Sequence, residues 1–196
     1  IVVNQIPVND KTKNVRLKKT KTFKSSSVGS LTSRKSIHII VKAIANLVEK
    51  GYDIIHFHAG KGPLEKKMND LIIKYNLDKN FFFIGQIDNI PKFYLDKNIV
   101  LHSATYEGFP NVIMEAMACA KPIISTNCGD IRFLIDDNVN GFKVPLNDHV
   151  KLSEKLEFLI NNHEMLNQFA QNSFQKAKAM FFVENLYKET VKTYFI

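Results

Sequence analysis

What most constrains this chain is an alternation. Between residues 25 and 145, short runs suited to strands take turns with segments whose apolar residues recur at helical spacing. Residues 25–31 (SSSVGSL) form a short strand candidate. Residues 36–50 carry Ile40, Ala43, Ile44 and Leu47 as one helical stripe, which Gly51 stops. Strand 53–59 (DIIHFHA) follows, and Gly60-Lys61-Gly62-Pro63 opens a second helix with the proline near its first position. Next come strand 80–85 (NFFFIG), a short helix 90–96, strand 98–103 (NIVLHS), helix 110–120, strand 122–126 (PIIST) and a last strand 141–145 (GFKVP). Beyond it the chain turns wholly helical: Leu152, Leu156, Leu159 and Ile160 form a stripe, and further helices are expected over 164–180 and 183–195. Strands that alternate with helices build βαβ units, and right-handed crossovers place helices on both faces of a parallel sheet. The expected fold is α/β, a Rossmann-like doubly wound parallel sheet with C-terminal helices, over residues 25–182.

With 196 residues and 45% hydrophobic content, the chain can bury one core. It holds no run near the ~18 to 20 apolar residues of a spanning helix, and no charged-then-apolar leader. Its opening, IVVNQIPVND, reads like the interior of a longer protein. Cys119 and Cys128 are too few for a disulfide scaffold and suit a reduced, cytoplasmic setting. The net charge is +8, and Lys11, Lys13, Arg16, Lys18, Lys19, Lys21 and Lys24 crowd into one segment. Residues 1–24 therefore read as a basic, solvated linker. The alternative is contact with an anionic surface, foremost the inner face of a membrane. Only Phe23 interleaves with these cations, which argues against nucleic acid as a partner. His56 and His58 share one strand face, but no third ligand is placed, so no metal site is expected.

Parallel sheets of this kind bind ligands at the carboxyl ends of their strands. Functional residues therefore belong in the turns at 29–35, 60–63, 85–89, 103–111 and 126–130. Three of these suit an anion. Gly60 and Gly62 could bring backbone close to a ligand, or serve tight packing alone. Arg34 and Lys35 follow a strand end, where a cation meets a phosphate. The third turn is the strongest: Glu107-Gly108-Phe109-Pro110-Asn111 leads into a helix with a proline suited to its first position, and free N–H groups from about Phe109 to Val112 would face the cleft. Glu115 then lies roughly 7 Å along the helix at ~1.5 Å per residue, a separation that matches a diphosphate and its ribose. Glu115 shares a face with Asn111, Val112 and Cys119, while Ile113, Ala116, Met117 and Ala120 form the core stripe. On spacing alone, ordinary helix glutamates explain Glu107 and Glu115 equally well.

The stretch EGFPNVIMEAMA followed by PIIST resembles the E-x7-E signature of glycosyltransferase family 4 (group 1), retaining enzymes with the GT-B fold. The likeness extends outward. VGSL with Lys35 resembles V-G-R-L-x3-K, HAGKGPLEKK is similar to the G-x-G-P turn, FFFIGQ resembles F-x-G, and NGFKVP matches the N-G-hydrophobic stretch. Order and spacing agree over roughly residues 25–159. The resemblance implies a nucleotide-sugar donor domain, the C-terminal one of two Rossmann-like domains facing across a cleft. The N-terminal acceptor domain would be missing from this sequence, and residues 183–196 would return toward it. It further implies Lys35 on the donor diphosphate with Gly29 and Arg34 beside it, Glu115 on the ribose hydroxyls, and Glu107 as the catalytic residue at the transferred sugar. The backbone of Gly108, Phe109, Pro110, Asn111 and Val112 would lie near the phosphates, and the nucleobase near Gly60, Gly62 and the 83–86 turn. No metal or other cofactor is implied.

Three positions depart from the family pattern. Ser30 stands where the family has Arg, His102 where it has Pro, and the Gly-Gly-x-x-Glu turn reads Gly129-Asp130-Ile131-Arg132-Phe133. The first and third leave open a degenerate, non-catalytic nucleotide-sugar-binding module; a nucleotide-sugar epimerase or a phosphorylase is a further alternative. Otherwise the expected reaction is transfer of a sugar from a nucleoside diphosphate with retention, in polysaccharide or surface-glycan synthesis, by a fragment inactive alone.

Overall fold

The computed structural model describes residue 17 and residues 21–181. Most of the 1–24 segment and the whole of the expected helix 183–195 lie outside these described residues. Six strands are present: β1 (Phe23–Val28), β2 (Ile54–Ala59), β3 (Phe81–Gly85), β4 (Ile99–His102), β5 (Ile123–Thr126) and β6 (Gly141–Val144). They form one parallel sheet in the order β3-β2-β1-β4-β5-β6. The helices are α1 (Ile37–Glu49), α2 (Glu65–Lys74), α3 (Ile90–Tyr94), α4 (Asn111–Ala118), α5 (Ile131–Leu134), α6 (His149–Asn161) and α7 (His163–Phe181). The α/β doubly wound expectation holds.

Alternation along each strand explains the two layers. Ile99 and Leu101 of β4 point to one face and Val100 to the other; Ile124 and Ile123 of β5 divide in the same way. On the first face the stripe of α1 packs with α2, α6 and the start of α7, burying Ile40, Ile44, Leu47 and Leu156 completely. On the second, α4 contributes Ile113, Ala116 and Met117 against α3, α5 and Ala177 of α7. Among the described residues, no helix is long and apolar enough to cross a membrane.

Several boundaries differ from the sequence-based expectation. β1 begins at Phe23 and ends at Val28 rather than spanning 25–31, because Phe23 pairs with Ile54 and Lys24 with Ile55, while Gly29 already turns away at φ 155°. Pro63 does not open α2: Leu64 caps that helix, which starts at Glu65. Pro110 is likewise the N-cap of α4 and not its first residue; its extended ψ of 111° leaves its carbonyl to accept from Ile113 N at 3.1 Å. The short α5 and a 3-10 turn at Ser33–Lys35 carry too few residues to show periodicity.

Candidate functional site

The strand order reverses once, between β1 and β4, so the connections leaving these two neighbours at their carboxyl ends diverge. Such a switch point opens a crevice in α/β sheets. Here the two turns that border it are 29–36 and 103–110, and backbone bonds tie them together. Thr105 N donates to Arg34 O at 2.9 Å, and Ser103 Oγ lies 2.8 Å from Lys35 O and 3.1 Å from Ser36 O. Ser36 takes a left-handed conformation, φ 47°, to make that approach.

Lys35 and Glu107 meet across this junction. The Lys35 ammonium donates to Glu107 Oε1 in an ion pair whose side chains are only 15% and 10% exposed. His102, at the end of β4, brings Nε2 to 3.3 Å from the same oxygen. Its Nδ1 lies 2.9 Å from Ser125 Oγ, on the register partner in β5. Burial alone would raise the Glu107 carboxyl; the hydrogen bonds from His102 and Lys35, with their charge, outweigh it and hold the pKa at about 2. Glu107 is therefore an ionised, acceptor-only group.

Helix α4 starts beside this pair. Among the described residues, no carbonyl accepts from the N–H of Asn111 or Val112, while Ile113 and Met114 already turn back to Pro110 O. Two aligned donors and the positive end of the helix thus face outward. Pro110 itself has no N–H, so it leaves the expected run of donors. Glu115 lies one turn deeper, half-buried beside Asn111 and Val112 as the sequence predicts. Burial pushes its carboxyl above the ordinary carboxylate value, and no hydrogen bond or ion pair to it is found among the described residues. Phe109 is 38% exposed and meets the Phe181 ring edge-on at 6.1 Å.

The glycines divide into two kinds. A Cβ on Gly60 would stand 1.8 Å from Gly29 O, and one on Gly62 would stand 2.5 Å from Leu31 O, so this turn is glycine-rich for the close approach of two loops. Gly108, by contrast, has open space around it. At Gly29, the Lys35 methylenes pass 3.5 Å from where a Cβ would be, so the lysine arm lies over that turn. The exposed side chain of Arg34 takes no part in the Lys35–Glu107 contact, and its carbonyl serves the loop. Sequence reasoning missed two supports. His102 stood out only as a departure from a pattern, although its place at the end of a central strand marked it as a candidate. Gly129, at φ 52°, packs so closely that a Cβ would stand 1.7 Å from Glu107 O.

The chemical capacity of this arrangement is recognition of an anion with a hydroxylated neighbour: a cation and two backbone donors for the charge, and an unpartnered carboxylate one turn along for hydroxyls. Comparison with known proteins identifies the family. The family model described as glycosyl transferases group 1 matches residues 8–176. An uncharacterized glycosyltransferase of Methanocaldococcus jannaschii is 29% identical over 170 residues, covering 83% of this chain and 47% of that protein. The capsular polysaccharide biosynthesis glycosyltransferase CapM of Staphylococcus aureus is 26% identical over 170 residues, 85% of this chain and 44% of that one. This chain thus spans about half the length of these relatives. Among solved structures, Anabaena HepE in complex with UDP superposes with a TM-score of 0.81 at 23% identity, over 88% of this chain and 48% of the other. The chain belongs to the group 1 glycosyl transferases.

Proposed function

We propose that this chain is the donor-binding half of a retaining, family 4 glycosyltransferase that moves a sugar from a nucleoside-diphosphate sugar to an acceptor. The observation that carries the reading is the convergence at one switch point of the Lys35–Glu107 pair, the two outward N–H groups of α4 and the unpartnered Glu115. In this reading the diphosphate lies at the amino end of α4, Lys35 pairs with it, Glu115 accepts from the ribose hydroxyls, and Glu107 orients the transferred sugar. Departure of the leaving group builds charge on the diphosphate, and preorganised N–H donors with a cation stabilise that charge. No metal is assigned a part. The UDP seen with HepE supports a nucleoside diphosphate as the donor's core, and the role of CapM in capsule synthesis supports a polysaccharide product.

The test is calorimetric titration with UDP-, GDP- and ADP-sugars. The wild-type chain binds at least one of them, and Glu115→Ala weakens that binding by about tenfold or more, the worth of a charged hydrogen bond. Binding to none of the three by either protein contradicts the reading. Joined to its acceptor domain, the wild type transfers sugar and Glu107→Ala abolishes that transfer; no transfer by the wild type favours a non-catalytic module, and unchanged transfer by Glu107→Ala contradicts the role given to Glu107.

A further inference from the structure

Glu107 has two donors where one ion pair would suffice, and they differ in freedom. Lys35 reaches Glu107 from a 3-10 turn on a long methylene arm laid over Gly29. His102 is 5% exposed and fixed on β4, with its other ring nitrogen held by Ser125 on the adjacent strand. An ionised carboxylate only accepts, so the His102 contact places the ring proton on Nε2. We propose that His102 is a positioning residue for Glu107: it is the donor that remains on the carboxylate when an arriving diphosphate draws Lys35 away.

This inference rests on the donor-site reading above. A diphosphate competes with Glu107 for the Lys35 ammonium. Freeing Lys35 would strip a largely buried carboxylate of its cation, and a buried charge without a donor is costly. His102 lowers that cost, since its Nε2 lies 3.3 Å from Oε1 and its ring is anchored through Ser125 rather than through Lys35. It also holds Glu107 in one orientation for the sugar after the lysine has left. Proline, the residue of the family pattern at this position, has no side-chain donor, so the device belongs to this chain's own sequence.

The experiment titrates UDP, GDP and ADP, without sugar, into the wild type, His102→Ala, His102→Gln, Glu107→Gln and the His102→Ala/Glu107→Gln double variant, with cooperative unfolding checked for each. His102→Ala weakens nucleotide binding about tenfold, and His102→Gln restores most of it through its amide N–H. In the Glu107→Gln background, His102→Ala changes binding less than about twofold, because its partner's charge is gone. An equal loss in both backgrounds, or no loss in either, overturns the proposal. If the wild type binds none of the three nucleotides, the donor-site reading fails first and takes this one with it. Independently of folding defects in variants, ring-nitrogen NMR of the wild type shows Nε2 protonated before and after nucleotide addition; an unprotonated Nε2 while Glu107 is ionised overturns it.

Discussion

The Lys35–Glu107 pair neutralises two largely buried charges. Either partner alone leaves a poorly hydrated charge, so Lys35→Met destabilises the fold by about 1–3 kcal/mol in urea unfolding at neutral pH. The Lys35→Met/Glu107→Gln double variant recovers part of that loss, since neither charge is then stranded. The pH dependence has a definite sign. The folded-state pKa of Glu107, about 2, lies below its ordinary value of 4.5, so its contribution is fully present above about pH 4.5 and is lost as pH falls toward 2. Glu115 runs the other way: burial raises its carboxyl, so its ionised form opposes folding, and protonation relieves that cost. Nucleotide affinity that depends on an ionised Glu115 therefore falls off at a pH above the ordinary carboxylate value, which titration calorimetry from pH 7.5 downward reads directly.

At the scale of elements, β1 and β2 are joined by a buried polar ladder beneath α1. Ser25 Oγ donates to His56 Nδ1 at 2.9 Å, His56 Nε2 to Ser27 Oγ at 2.8 Å, Ser27 Oγ to His58 Nδ1 at 2.8 Å, and His58 Nε2 to Gly29 O at 3.0 Å. Every group is satisfied with both rings neutral and protonated on Nε2. Burial lowers His56 well below the usual histidine range and His58 to about 4. Since the unfolded rings titrate near 6.5, the ladder's stability is complete above that pH and declines as pH falls toward 4. Ser27→Ala, which orphans a donor and an acceptor, costs about 2–4 kcal/mol by denaturant unfolding. Gly129→Ala forces a Cβ against Glu107 O and lowers both stability and nucleotide binding.

The sequence disclosed these elements unevenly, for physical reasons. Long periodic stripes, such as Ile40, Ala43, Ile44 and Leu47, disclosed α1 and its buried face. The EGFPNVIMEAMA stretch disclosed α4 and the face on which Glu115 lies beside Asn111 and Val112. The start of β1 was hidden because Phe23 and Lys24 read as the end of the basic segment; their strand state comes from pairing with Ile54 and Ile55 of β2. The His56–Ser27–His58 ladder was illegible for a related reason: histidine and serine read as surface or ligand residues until cross-strand register places them face to face. His102 needed the same information, since its partners come from β5 and from the next loop.

At the scale of the molecule, one topological reversal puts the β1 and β4 turns side by side, and each residue assigned a role toward the phosphates or the transferred sugar lies on one of them or on the first turn of α4. The chain spans about half of the curated relatives it matches, and on the proposed reading it binds the donor without transferring sugar by itself. An assay of UDP release with a candidate acceptor checks this, and turnover by the chain alone contradicts it. An amide NMR titration with UDP tests the proposed phosphate site at the amino end of α4. The Asn111 and Val112 N–H signals are expected to move most, with the Lys35 ammonium and Glu115 carboxyl shifting at the same nucleotide concentration. Movement confined to other loops, with Asn111 and Val112 unchanged at saturation, contradicts it.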